Sequence, residues 1–303
     1  MVFDWGMKWK EDFLDYLRYE RNYSPQTEIA YYTDLTQFEA FITQKCGSFD
    51  PTAIDGDLIR IWMVHLMEQQ VKARSVNRKL SAVKSFFCYL KKKKIIAHNP
   101  AQGLSGPKAE RRLPAFVDES RISRVIDDET QYSDDFEGHR DRFMMELLYL
   151  TGMRRAELIA LKDADIDFNN ATLRVTGKRN KQRLIPFSAE TAEKLKAYIK
   201  ERDASIKNKT AFLFVKENGA PLYPKLVYNV VHRHLESIPT LSRKSPHILR
   251  HSFATEMLNN GAEINAVKEL LGHSSLASTE VYTHVTFEEM KKAYHNAHPR
   301  AKK

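Results

Sequence analysis

Residues 164–187 read ADIDFNNATLRVTGKRNKQRLIPF, and this stretch decides what kind of fold the chain can adopt. It contains three short segments, ADIDF, ATLRVTG and QRLIPF, separated by Asn169-Asn170 and by the polar run KRNK at 178–181. Strand-length segments punctuated by such turn residues predict a small antiparallel meander. Everything on either side is patterned for helices, so the fold class is mostly α with one small sheet.

Working outward, ESRISRVIDD (119–128) and the segment ending LLYLTGMRRAELIAL (147–161) read as helices before the meander. After it, KSPHILRHSFATEMLNNG (244–261) carries start signals at Ser245 and Pro246 and a stop at Gly261, AEINAVKELLG follows, and TFEEMKKAYHNAHPRAKK (286–303) closes the chain. Upstream, HNPAQGLSGPKAERRLPAF (98–116) is rich in proline, glycine and charge, the composition of an interdomain linker. The first hundred residues carry four helical patterns. Trp9, Phe13, Leu14 and Leu17 mark the first, and Ile29, Tyr32, Leu35, Phe38 and Ile42 mark the second. DLIRIWMVHLMEQQ and SVNRKLSAVKSFFCYLKKKK hold the others, the last with a core stripe of Val76, Leu80, Val83, Phe87 and Leu90. The expected organisation is a helical domain at 1–104, a linker at 105–115 and a mixed α+β domain at 116–303.

With 48 Lys+Arg against 39 Asp+Glu, the net charge of +9 attracts polyanions, a nucleic acid or an anionic membrane face alike. No apolar run has the length of a membrane span, and the N-terminus lacks the pattern of a signal peptide. Cys46 and Cys88 are far apart and outside any CxxC, which excludes a disulfide framework or thiolate metal site and fits a reducing cytoplasm. On the fourth helix Arg74, Arg78, Ser81 and Ser85 share a second face, basic and then small, suited to a DNA groove. A solvated polar face accounts for the same stripe equally well.

Six polar residues of the second domain sit where structure does not require them. Arg154 follows a glycine, Lys178 occupies the meander's second turn, His247 and Arg250 lie three apart on one helix, and His273 and Tyr282 fall among small polar residues in LLGHSSLASTEVYTHV (270–285). Each alone has a plainer explanation as a cap, a solvated turn or a packed ring. Together they suit a phosphodiester. Guanidinium forks hold non-bridging oxygens and stay charged in a five-coordinate transition state, a lysine can protonate a leaving alkoxide, and a tyrosine becomes a nucleophile when cations and a base surround it. A zinc site at His247 and His251 lacks the glutamate of HExxH and would meet Arg250. GKRNK lacks the flanking residues of a phosphate-binding P-loop.

The blocks TGMRRAEL, GKRNKQRLIPF, HILRHSFATEML and LLGHSSLASTEVYTHV, in this order, resemble the signature blocks of the tyrosine site-specific recombinases of the phage integrase superfamily. NPAQGLSGPKAERRLP is similar to the interdomain linker of the bacterial Xer members, and the likeness spans nearly the whole chain. The resemblance implies a four-helix SAM-like core-binding domain and a C-terminal catalytic domain that embrace duplex DNA. It implies that Arg154 and Arg250 clamp the scissile phosphate and that Lys178 protonates the 5′-hydroxyl leaving group. His247 and His273 assist, the first as proton acceptor or hydrogen-bond donor and the second as phosphate ligand. Tyr282 forms a 3′-phosphotyrosyl bond, and Glu157 orients Arg154. No cofactor and no metal are implied, because the bond's energy is kept in the phosphotyrosine. The partners implied are double-stranded DNA carrying two recombination sites, further protomers in a homo- or hetero-tetramer linked through the stripe Phe287, Met290 and Tyr294, and an FtsK-like DNA translocase, all in a cytoplasmic, nucleoid-associated setting without a membrane. The function expected is resolution of chromosome dimers at a dif-like site. A mobile-element integrase or invertase is the alternative, although the chain starts almost directly with the bundle, unlike the larger lambda-type integrases. A type IB topoisomerase would act on one duplex as a monomer, and an architectural DNA-binding protein would leave the six-residue set unexplained.

Overall fold

The computed structural model describes residues 5–108, 119–177, 180–208, 210–239, 241, 243–272 and 287–301. The chain divides into two compact units, Met1–Arg112 and Leu113–Lys303.

The first unit is helical. Helix α1 (Trp5–Asp15) runs on into a π-helical turn, and α2 (Pro25–Cys46), α3 (Gly56–Glu68) and α4 (Ala73–Lys92) complete the bundle. Local chemistry sets the ends: Ser24 Oγ accepts from Thr27 N at 3.3 Å with Pro25 in the first turn, and Asp55 accepts from Leu58 N at 2.8 Å. The stripe on α4 is buried in full, from Val76 through Leu90, against Phe13, Leu17, Phe38 and Trp62. The helix marked by Ile29, Tyr32, Leu35, Phe38 and Ile42 is present as α2, but not all five of these residues reach the core. Leu35, Phe38 and Ile42 are buried, but Ile29 is 59% and Tyr32 48% exposed. A step of three residues falls about 60° short of a full turn, so two steps back from Leu35 the apolar row has rotated into solvent. Residues 99–107 pack back on α4: Ala101 and Leu104 are buried, Lys84 Nζ donates to Leu104 O at 2.6 Å, and Asn77 Nδ2 donates to Pro107 O at 2.9 Å.

The second unit is built around α6 (Phe136–Thr151), which is buried on nearly every face, with its buried charges Arg140, Asp141 and Glu146 held in ion pairs. Around it lie α5 (Glu119–Asp127), α7 (Arg155–Ala160), α8 (Ala189–Ser205), α9 (Pro224–Leu235), α10 (Pro246–Asn259), α11 (Ile264–Leu271) and α12 (Phe287–Ala297). The meander is present as β1 (Ile166–Asp167), β2 (Thr172–Thr176) and β3 (Gln182–Pro186), antiparallel in the order β1-β2-β3, with Leu173 opposite Ile185 and Val175 opposite Arg183. Leu173, Val175 and Ile185 face the core, while Arg174 and Leu184 face solvent, the alternation that fixes the register.

In the single chain α12 packs on its own unit. Tyr294 is fully buried with Phe253, Met257, Val267 and Leu270, and Met290 packs against the same cluster. The side chain of Phe287, the third member of the stripe expected to face a neighbouring protomer, lies outside the described residues. Beyond the helix, Arg300 Nη2 reaches Asp127 at 2.6 Å and its Nη1 reaches Glu146 at 3.1 Å, tying the chain end to α5 and α6. Among the described residues no helix is long and apolar enough to cross a membrane.

Candidate active site

The site is assembled at helix ends. Helix α6 stops at Gly152, whose φ of +58° is left-handed and whose added Cβ would lie 2.5 Å from Phe253 Cδ1. This sharp turn delivers Arg154 to the start of α7, where the backbone N–H of Arg154 donates to Glu157 Oε2 at 2.7 Å and its Nη1 donates to Glu157 Oε1 at 2.9 Å. Arg154 Nη2 donates to Gly272 O at 3.2 Å. Arg250, on α10, is buried, with Nη1 donating to Gly152 O and Nη2 to Leu271 O, both at 2.7 Å. The two arginines, 96 positions apart in sequence, thus meet at the C-terminal end of α11, whose last carbonyls lack partners within the helix and attract cations. A guanidinium has five N–H donors, so these contacts orient each fork and leave further donors for a ligand.

A third arginine, which the sequence reading passed over, joins them. Arg183 on β3 places Nη1 and Nη2 at 2.9 Å from the two Glu157 oxygens and Nε at 2.6 Å from Leu270 O. Arg154 and Arg183 share the one carboxylate, and Arg250 adds a third guanidinium on the neighbouring carbonyl of Leu271, an excess of positive charge suited to an anion. The crowding acts on Arg250, where burial first, and then the charges of Arg154 and Arg183, pull the guanidinium down to about 10, still charged at neutral pH. Glu157 responds in the opposite sense. Burial pushes its pKa up, but the hydrogen bonds and charge of Arg183, followed by those of Arg154, hold the net value below the usual carboxylate range.

His247 lies one turn before Arg250 on α10 and opens onto a cavity of about 500 Å³ lined also by Arg155, Tyr228, His232, Arg243 and Lys244. Desolvation, then Arg155, Arg250 and Arg154, keep its pKa below the ordinary histidine value, so the ring is neutral near pH 7 and able to accept a proton. Lys178, His273 and Tyr282 lie outside the described residues. The residues just before two of them are placed: a Cβ on Gly177 would lie 3.8 Å from Arg154 Nη1, and Gly272 O is the acceptor of Arg154 Nη2. His251, the second histidine of the rejected zinc reading, is half-buried.

The face expected to read DNA is on α4 of the other unit. Arg74 and Ser81 are exposed and Ser85 is half-buried. Arg78 is 48% exposed but forms an ion pair with Asp34, a fully buried carboxylate of α2 that Lys79 also contacts at 3.0 Å. Ser81 Oγ donates back to Asn77 O at 2.8 Å. The Asp34 partnership is invisible to helical spacing, because it joins residues 44 apart.

Residues 116–289 match the family model described as the phage integrase family, and residues 11–94 match that of the phage integrase N-terminal SAM-like domain. The chain is 39% identical to a protein named tyrosine recombinase XerC from Chlorobaculum tepidum, over 97% of this chain and 95% of that one. This chain is a tyrosine recombinase. The recombinase is also 36% identical to the XerC of Bacillus subtilis, over 95% of both chains. Its fold matches that of XerH bound to a palindromic difH substrate, at a TM-score of 0.72 and 22% identity over 94% of this chain and 84% of that one. A Tn1549 transposon integrase in complex with transposon right-end DNA matches at 0.72 and 20% identity over 94% of this chain and 97% of that one. Members of the family cleave and rejoin DNA.

Proposed function

We propose that this recombinase exchanges strands at a short, roughly palindromic dif-like chromosomal site and so resolves chromosome dimers. In this reading Arg154 and Arg250 grip the non-bridging oxygens of the scissile phosphate. The Oη of Tyr282 attacks phosphorus, a phosphotyrosyl bond forms to the 3′ side, and the P–O bond to the 5′ oxygen breaks. Lys178 gives that oxygen its proton, His247 accepts the proton from Tyr282, and His273 binds the phosphate. Attack by a partner strand's 5′-hydroxyl reverses the sequence, so one phosphodiester replaces another and no external energy source enters. The observation that carries the reading is the meeting of Arg154 and Arg250 on one helix end, in a chain similar to XerC proteins over almost its whole length.

The partners in this reading are two duplex sites and four protomers, of one kind or two, linked through the C-terminal helix and prompted by an FtsK-like translocase on the nucleoid in the cytoplasm. Arg74, Arg78, Ser81 and Ser85 lie against the DNA. The division at 1–104, 105–115 and 116–303 belongs to the same reading, with the middle segment as the tether.

The test is a nicked duplex carrying a dif-like sequence, incubated with the protein and run on a denaturing gel. A covalent adduct that vanishes with Tyr282→Phe supports the assignment. Absence of an adduct on any dif-like duplex, with adduct formed on the ends of a mobile element, would move the function to an integrase. An equal yield from Tyr282→Phe would remove the nucleophile from this position.

A further inference from the structure

Arg183 has no part in the phosphate chemistry just described, yet the site is tied together through it. Its side chain is only 12% exposed, although a basic residue on a strand next to a polar turn has solvent within reach. Its two terminal nitrogens take one oxygen each of Glu157, the parallel fork that only arginine makes. The same two oxygens hold the backbone and the guanidinium of Arg154. Its third nitrogen takes the carbonyl of Leu270. Leu271 O is then taken by Arg250 and Gly272 O by Arg154. Three consecutive carbonyls at the end of α11 are thus held by three guanidiniums from β3, α10 and α7.

Both neighbouring glycines are shaped by this pair. A Cβ on Gly272, which has a φ of +64°, would lie 3.1 Å from Arg183 Cδ, and one on Gly177 would lie 3.2 Å from Glu157 Oε1. The chain therefore passes directly over the Glu157–Arg183 pair immediately before Lys178 and immediately before His273.

The geometry points to Arg183 as a positioning residue of the cleavage reaction. It fixes Arg154 through Glu157 and pins the end of α11, so that the two arginines of the phosphate clamp keep one register. A solvated strand cation would make none of these contacts. A general stabilising role would need Glu157 or Leu270 O, not both on the two sides of the clamp. The inference rests on the reading that Arg154 and Arg250 hold the scissile phosphate.

The experiment is single-turnover cleavage of the nicked duplex at saturating protein, with wild type and Tyr282→Phe as brackets and Arg183→Ala, Arg183→Lys, Arg154→Ala and the Arg154→Ala/Arg183→Ala double variant compared. Arg183→Ala keeps DNA affinity within about two-fold but forms adduct about 10- to 100-fold more slowly, the scale of a clamp misplaced by an ångström. Arg183→Lys stays slow, because an ammonium cannot fork. The double variant loses far less than the product of the two single losses, since the Arg183→Ala effect runs largely through Arg154. On a duplex whose scissile phosphate is a neutral methylphosphonate the Arg183 deficit shrinks, because there is no charge left to grip. If Arg183→Ala does not fold, Arg183→Lys carries every comparison. Cleavage within two-fold of wild type, multiplicative losses in the double variant, or an unchanged deficit on the neutral substrate would each overturn the proposal. A wild type that forms no Tyr282-dependent adduct would instead overturn the reading of the site beneath it.

Discussion

Glu157 shows how a single side chain can be held in an unfavourable place. Its burial pushes the pKa up, and the hydrogen bonds and charge of two arginines more than offset that push. Replacing it by Gln leaves Arg154 and Arg183 facing each other without a carboxylate, which costs about 3 kcal/mol, typical of breaking a buried pair. Urea unfolding should show the midpoint fall at constant slope. Because the folded pKa is depressed, the carboxylate's stabilisation is present in full above its unfolded value of about 4.3 and is lost as pH falls through the lower folded value. The difference between wild type and Glu157→Gln should therefore close below that window. The same logic separates two cations on different units. Arg78→Ala should relax site preference in a competition binding assay, while Lys178→Ala should slow cleavage with binding intact. Asp34, fully buried beneath Arg78, keeps Lys79 as a partner in the first variant, so the fold survives and the loss is one of recognition. Equal loss of binding in both variants would contradict the division.

At the scale of elements, the stops of α6 and α10 look alike in sequence and differ in what surrounds them. Gly152 and Gly261 both have positive φ, at +58° and +84°, but a Cβ at 152 strikes Phe253 while nothing lies within 4 Å at 261. Gly261→Ala should cost about 1 kcal/mol, the left-handed penalty alone. Gly152→Ala adds a core clash worth a further 1–3 kcal/mol, and it shifts Arg154 two residues on, so it should lose cleavage activity as well. Thermal midpoints and adduct yield measured together distinguish the two. The meander was readable at this scale because Asn169-Asn170 and the polar turn interrupt segments of strand length. The α2 spacing correctly marked a helix, but apolar residues three apart drift off one face over a long span, so Ile29 and Tyr32 lie exposed.

Across the whole molecule, two buried histidines couple stability to pH. His234 stacks on Tyr132 and His298 on Tyr294, and burial lowers the pKa of each to about 4. A depressed histidine pKa means that the unfolded chain binds protons first. Stability is therefore complete above about pH 6.5 and falls as pH drops toward 4, by roughly 3 kcal/mol per histidine at most. Denaturant midpoints at pH 7 and 4.5 measure the fall, and His298→Phe should reduce it; a midpoint independent of pH would show that neither ring resists protonation. The net charge of +9 acts at the same scale. DNA affinity should fall linearly in log–log form with salt, and Arg74→Ala should lower that slope by about one if Arg74 meets a phosphate.

Composition and periodicity by themselves determined the helical bundle, the small sheet and the attraction to polyanions, because each is a property of neighbours along the chain, while the recombinase family came from the resemblance of four ordered blocks to known signatures. They also singled out Arg154, His247 and Arg250 as candidates. They could not reveal that the side chain of Arg183 is drawn largely out of solvent, since a basic residue on a short strand has the pattern of an exposed one. They could not reveal Asp34 beneath Arg78, or the three carbonyls of α11 shared among three arginines. Those contacts join residues tens of positions apart, and their energies come from desolvation and from charges brought together only by packing. The tertiary structure decided them because a guanidinium's burial depends on the carboxylate and carbonyls that the fold places around it.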